Sequence, residues 1–301
     1  MLALVGDVLG EFGQEIQRLE DLVIAGHAAE EVFIGGLGVL LAVVLVGLVE
    51  DFAFGGDTQE PGEGEGAAGH VLGEAFDAQM RSILDRDHVG SRFACGTAEG
   101  EAAGNAAFVK LLHRLERGAD LPLPLRAIVV RRSEANAMAL PGGRIFVFRG
   151  LIAKAETPDE LAGVMAHEIG HVSHRDGTRA ALESAGLSLL FGMLLGDFTG
   201  GGAVVVATRM VLQSAYSREV EAAADGYGVT LMSRIGGDPR ALGAILARIG
   251  GATEPAMKIL LDHPETAARV AAINAMAGSS GGQPLLDGAE WAAVKRICSG
   301  N

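Results

Sequence analysis

The sequence predicts an α+β fold, mainly helical, with a small β-sheet beside one central helix, and three observations carry that prediction. Stretches at 71–84 and 106–117 read as helices. After them come three short strand-like runs: LRAIVVRR at 125–132, NAMAL at 136–140 and RIFVF at 144–148. The last two are joined by Pro141, Gly142 and Gly143, which mark a tight turn. Thr157, Pro158, Asp159 and Glu160 then open a helix with a threonine N-cap, proline at N1 and glutamate at N3 to close a capping box.

At 301 residues the chain can bury a sizeable core, and its composition is that of a folded protein: 49% hydrophobic and 21% charged, although only 5% aromatic. A net charge of -14 repels phosphate backbones, so no nucleic-acid partner is expected. The two cysteines, Cys95 and Cys298, are too few and too far apart for a cysteine metal site. Either they form one bridge that ties the chain end back to the body, which requires an oxidising compartment, or they are two unpaired thiols.

Residues 1–53 read as an N-terminal helix followed by a membrane anchor. Val5, Leu9, Phe12, Ile16, Leu19 and Val23 are spaced alternately four and three, as in an amphipathic helix. From Val32 to Val49 the chain carries no charge, a length that just reaches a membrane span. Glycines in and beside the run, with its acidic flanks, leave a buried core helix as the other reading. Residues 54–69, rich in glycine and acid, cannot pack a core and read as a flexible linker, which makes 70–301 the main domain.

The helix that begins at Thr157 contains His167, Glu168, Ile169, Gly170 and His171. Four residues is just over one helical turn, so both imidazoles project from one face and can grip one metal ion. Glu168 stands beside them, placed to take a proton from a metal-bound water. Two surface histidines near a helix end are the alternative. A hydrolytic Zn2+, one per chain, wants three protein ligands and an open position, so a third donor is needed downstream. The best candidate is Glu221, in the alanine-rich SREVEAAADGYG at 217–228. Asp225 falls one turn later on the same face, where it can hold a ligand imidazole by its second nitrogen. Taken alone, that pair reads as a solvated helix face. No serine or cysteine lies in a nucleophile motif, so the chemistry expected is attack by metal-activated water with Glu168 as base.

Four motifs occur in order: NAMALPGGRIFVFRGLI at 136–152, HEIGHVSHRD at 167–176, SREVEAAAD at 217–225 and HPETAARV at 263–270. Together they resemble the zinc metallopeptidase family that includes the CAAX prenyl proteases, the bacterial heat-shock membrane protease and the mitochondrial Oma protease. The resemblance covers about residues 70–275. It implies a zincin-like metalloprotease domain with the sheet next to the metal helix, His167, His171 and Glu221 as ligands and Glu168 as general base. It also implies that Asn136, Ala137, Met138 and Ala139 form an edge strand on which a protein or peptide substrate pairs in extended form. His263 matches a family histidine near the metal, there to stabilise an oxyanion or to fill the open position in a closed state. A capping histidine before Pro264 is its other reading.

His174 departs from the family, which has a bulkier or apolar residue there and a histidine just past the arginine. It is read as a partner for the helix C-terminus and not as a ligand. Where integral members of the family place long membrane spans, GLSLLFGMLLG and GAVVVATRMVL are each only eleven residues, too short to cross a bilayer. They form either a glycine-hinged hairpin over the cleft or ordinary core helices. The function expected is a zinc-dependent endopeptidase of misfolded or membrane-associated proteins. Its expected place is the bacterial cell envelope, anchored in the membrane by the N-terminal segment with the catalytic domain outside the cytoplasm. The alternative is a gated, chaperone-like assembly or quality-control factor with little proteolysis.

Overall fold

Three short strands form the sheet, and the chain order does not match their spatial order. β1 (Arg126–Val130), β2 (Ala137–Leu140) and β3 (Arg144–Phe148) lie in the order β1-β3-β2. β2 and β3 form the expected hairpin, antiparallel with Met138 opposite Phe146. Its turn needs glycine, since Gly142 and Gly143 both have positive φ, 75° and 76°. β1 then pairs parallel to β3, with Ile128 opposite Phe146, which makes β3 the central strand. RIFVF suits that position because both its faces are buried. Ile145 and Val147 enter the main core, while Phe146 and Phe148 join a smaller cluster with Met80, Val130 and Leu140.

The structure is a computed structural model and describes residues 77, 80, 81, 93–180, 216–250, 267–278 and 281–299. All of them fall in one unit formed by Gly73–Ala181 and Thr208–Asn301. The N-terminal helix, the uncharged run at 32–49, the linker at 54–69, the two eleven-residue apolar segments and His263 lie outside the described residues. Among the described residues, no helix is long and apolar enough to cross a membrane.

The helices are α1 (Ala102–Ala119), α2 (Arg149–Lys154), α3 (Pro158–Ser173), α4 (Arg218–Arg234), α5 (Ala241–Gly250), α6 (Ala267–Ala277) and α7 (Gly288–Lys295), of which α2 and α3 pack on the sheet and the others mainly on helices. The helix expected at 106–117 is thus four residues longer at its start. α3 runs through the middle, with every residue from Pro158 to His171 buried. Its start follows the expected signals: the Thr157 hydroxyl accepts from the Glu160 N–H at 3.1 Å, and Pro158 occupies the first turn. Glu160 reaches further back than a closed capping box requires, accepting the Glu156 N–H at 2.6 Å and gripping Arg248 of α5 with both oxygens, at 2.6 and 2.7 Å.

α3 and α4 approach closely because glycines sit at their contact. A Cβ on Gly170 would come within 3.0 Å of the Ala224 backbone, and one on Gly228 within 3.2 Å of the His167 backbone. That proximity brings the face of α3 that carries His167 and His171 against the face of α4 that carries Glu221. The far end of the chain is tied back as one of the two cysteine readings expected, by a Cys95–Cys298 disulfide. Arg131 reinforces the tie, donating to the Cys298 carbonyl at 2.9 Å and to the fully buried Glu101 at 2.6 Å.

Candidate metal centre

His167 and His171 stand one turn apart on α3, both 2% exposed, with their Nε2 atoms 3.1 Å from each other. Glu221, 3% exposed near the start of α4, brings Oε2 to 3.6 Å from His167 Nε2 and Oε1 to 3.6 Å from His171 Nε2. Its position follows from the local sequence, because Ser217 caps α4 by accepting the Val220 N–H and so sets where the first turn begins. One donor atom from each of the three residues lies within 4.8 Å of the other two. A tetrahedral zinc ion with arms of about 2.1 Å has ligand atoms about 3.4 Å apart, so this donor set fits that ion. Two nitrogens and a carboxylate oxygen are also the donor types that zinc takes in hydrolytic sites.

Behind each imidazole stands a carboxylate. His167 Nδ1 lies 2.9 Å from Asp225, the helical neighbour anticipated for it, and His171 Nδ1 lies 2.8 Å from Asp176. Asp225 is further held by Arg269 of α6, which donates from Nε at 2.6 Å and from a terminal nitrogen at 2.8 Å. Burial pushes the Asp225 carboxyl up, but hydrogen bonds from Arg269 and His167 outweigh it and leave the group below its ordinary range. The other terminal nitrogen of Arg269 lies 2.8 Å from Glu221. Arg269, Asp176 and Tyr216, whose ring stacks on His171 at 4.5 Å, were not among the expected site residues. Arg269 does lie inside HPETAARV, and a buried acidic cluster needs a cation; that need was the signal available for finding it.

Glu168, 1% exposed, points at the sheet rather than along α3. Its Oε2 accepts the Ala139 N–H of β2 at 2.7 Å. β2 (Ala137–Leu140) is the edge strand beside α3, and Ala139, within the expected run Asn136, Ala137, Met138 and Ala139, is the residue that reaches Glu168. The Asn136 carbonyl accepts from Phe148, and antiparallel alternation therefore turns the backbone groups of Ala137 and Ala139 away from β3. Of the two outward N–H groups, Ala137 donates to the Asn136 side chain at 2.9 Å and Ala139 to Glu168. His174 joins none of this. It caps the C-terminus of α3 and sets its ring edge-on to Tyr227, 5.9 Å away.

Comparison with known proteins agrees with the geometry. Residues 103–277 match Peptidase family M48. Over 167 residues, half of this chain, it is 32% identical to a Vibrio cholerae protein named as a beta-barrel assembly-enhancing protease, covering 34% of that protein. It is 30% identical over 123 residues (41% of this chain) to the mitochondrial metalloendopeptidase OMA1 of Arabidopsis thaliana and 31% over 146 (47% of this chain) to that of Schizosaccharomyces pombe, covering 25% and 43% of them. The chain therefore matches less than half the length of each of these relatives. The family match spans more than half of this chain and takes in α3, α4, α6 and the whole sheet; the chain belongs to peptidase family M48.

Proposed function

We propose that the chain is a zinc-dependent endopeptidase, with His167, His171 and Glu221 as metal ligands and Glu168 as general base. The observation that carries the reading is the convergence of three buried donors beside a carboxylate that is itself held by an edge strand. A zinc ion in that donor set would act as a Lewis acid on the scissile carbonyl and lower the pKa of a water toward about 7.

The chain's own residues supply the remaining work. Substrate lies along β2 as an added strand and uses the outward carbonyls of Ala137 and Ala139 as acceptors for its N–H groups. Backbone pairing of this kind reads extended shape more than side-chain identity, which suits unfolded or partly unfolded proteins. Glu168, aligned by the Ala139 N–H, takes the proton of the attacking water and returns it to the departing amine. Asp225 orients His167, and Arg269 balances the charge of Asp225 and Glu221.

The envelope location and misfolded or membrane-associated substrates extend the same reading. Support comes from the Cys95–Cys298 disulfide, which suits an oxidising compartment, and from the name of the Vibrio relative. A free-thiol assay on denatured, unreduced protein should find no thiol; two thiols would count against that location.

The deciding experiment measures zinc content and cleavage of unfolded casein for the wild type and for Glu168→Gln. The reading expects about one zinc in each and cleavage only by the wild type. If both hold zinc and neither cleaves, a gated holding or assembly role takes precedence. If neither binds zinc, the ligand assignment fails.

A further inference from the structure

We infer that Asp176 is the positioning residue for His171, holding its imidazole in the tautomer and orientation that present Nε2 to the metal centre. This rests on His171 being a ligand, as proposed above. Asp176 is 6% exposed and its Oδ2 lies 2.8 Å from His171 Nδ1. A carboxylate has no proton to give, so the hydrogen in this contact sits on Nδ1 and the lone pair is left on Nε2. That is the nitrogen facing His167 and Glu221.

The backbone is bent to make the contact. α3 ends at Ser173, and two residues later Arg175 adopts φ 58°, a left-handed conformation that non-glycine residues rarely take. That turn brings Asp176 back under the helix it has just left. Strain of this kind persists where the surrounding structure holds it, and here it places one carboxylate on one ring nitrogen. Tyr216, stacked on the His171 ring at an interplanar angle of 17°, limits rotation of the same ring. His167 and His171 thus have parallel supports that differ in charge. The carboxylate behind His167 shares its charge with Arg269, whereas the described partner of Asp176 is His171. A less neutralised carboxylate polarises its imidazole more strongly, so Asp176 makes His171 the stronger nitrogen donor of the two.

The test uses the full chain, metal-free and labelled with nitrogen-15, observed by two-bond proton–nitrogen NMR of the imidazole rings above their titration range. His171 is expected to carry its proton on Nδ1; a proton on Nε2 in the wild type overturns the assignment whatever the variants do. Zinc affinity, read by competition with a chelating dye, is expected to fall about 10- to 100-fold in Asp176→Asn and to recover in part in Asp176→Glu. A purely structural Asp176 would lower the thermal midpoint while leaving the His171 tautomer and the zinc affinity of the folded protein unchanged, and that result also overturns the inference. If the wild type binds no zinc while His171 is protonated on Nδ1, the ligand reading of the centre fails and the Asp176 contact stands.

Discussion

At its N-terminal end α3 buries Asp159 and Glu160, and a few turns later it buries Glu168 between His167 and His171. The first two acids are fully provided for by fixed donors. Asp159 accepts backbone N–H groups from Asp238 at 2.9 Å and Leu285 at 2.8 Å, pinning two distant loops to the helix. Glu160 holds Arg248 and the Glu156 N–H. At the other end, Asp176, Glu221 and Asp225 gather around two imidazoles and the Arg269 guanidinium, and Glu168 turns to the Ala139 N–H of β2. Burial of a carboxylate is therefore not itself a functional signal. Acids matched to backbone donors and a guanidinium hold the fold together, whereas acids gathered around two facing Nε2 atoms supply the donor set proposed to hold zinc.

If the two ends differ in this way, substitutions at each should fail in different assays. The largest effect is expected from Glu168→Gln, which removes the proposed base and should lower proteolysis by about 10²- to 10⁴-fold. Zinc content should be unchanged, and a loss of zinc in this variant would mean that Glu168 is structural. Arg269→Met comes next, since it leaves Glu221 and Asp225 without their buried guanidinium. Urea unfolding of the metal-free protein should show a loss of about 3–5 kcal/mol.

Arg248→Ala probes the structural end. Arg248 is partly exposed, so the loss should be smaller, about 1–2 kcal/mol, with zinc affinity and cleavage retained. Its pH dependence gives a sharper reading. Burial pushes Glu160 up, but hydrogen bonds and charge from Arg248 hold it below 4.5 in the folded protein. Its contribution is then present above the unfolded value and lost as pH falls through the folded one. Unfolding measured from neutral pH into the acid range should show a weaker dependence there in Arg248→Ala. The smallest effect is expected from Thr157→Ala, about 1 kcal/mol for the lost cap. Reduced zinc affinity in either of these last two variants would break the division between the two ends.

Much of this organisation was legible in the residues because it is local. The Thr157–Pro158 start of α3, the glycine turn between β2 and β3, and the shared face of His167 and His171 each depend on a few consecutive positions whose backbone geometry is nearly obligatory. Helical spacing puts Asp225 on the same face as Glu221, but taken alone that pair reads as a solvated helix face, and only the accompanying motifs and the family resemblance give it weight. Glu160 shows where local rules stop: a capping-box glutamate was expected, and a partner 88 residues away took up its side chain.

Spacing along the chain determined by itself that α3 carries two histidines on one face with a carboxylate beside them, that a helix with Glu221 follows, and that strands precede both. Tertiary structure decided which distant groups meet. It placed β1 parallel to β3 and left β2 as the edge beside Glu168. It also joined Cys95 to Cys298, which the sequence left open, and brought Arg269 onto Asp225 across 44 positions. Asp176 is the instructive case, only five residues from His171 yet missed by helical spacing. The left-handed turn at Arg175 breaks the periodicity that would have predicted its direction. Periodicity specifies which residues share a face, but contacts across a break or between segments follow from how whole surfaces pack.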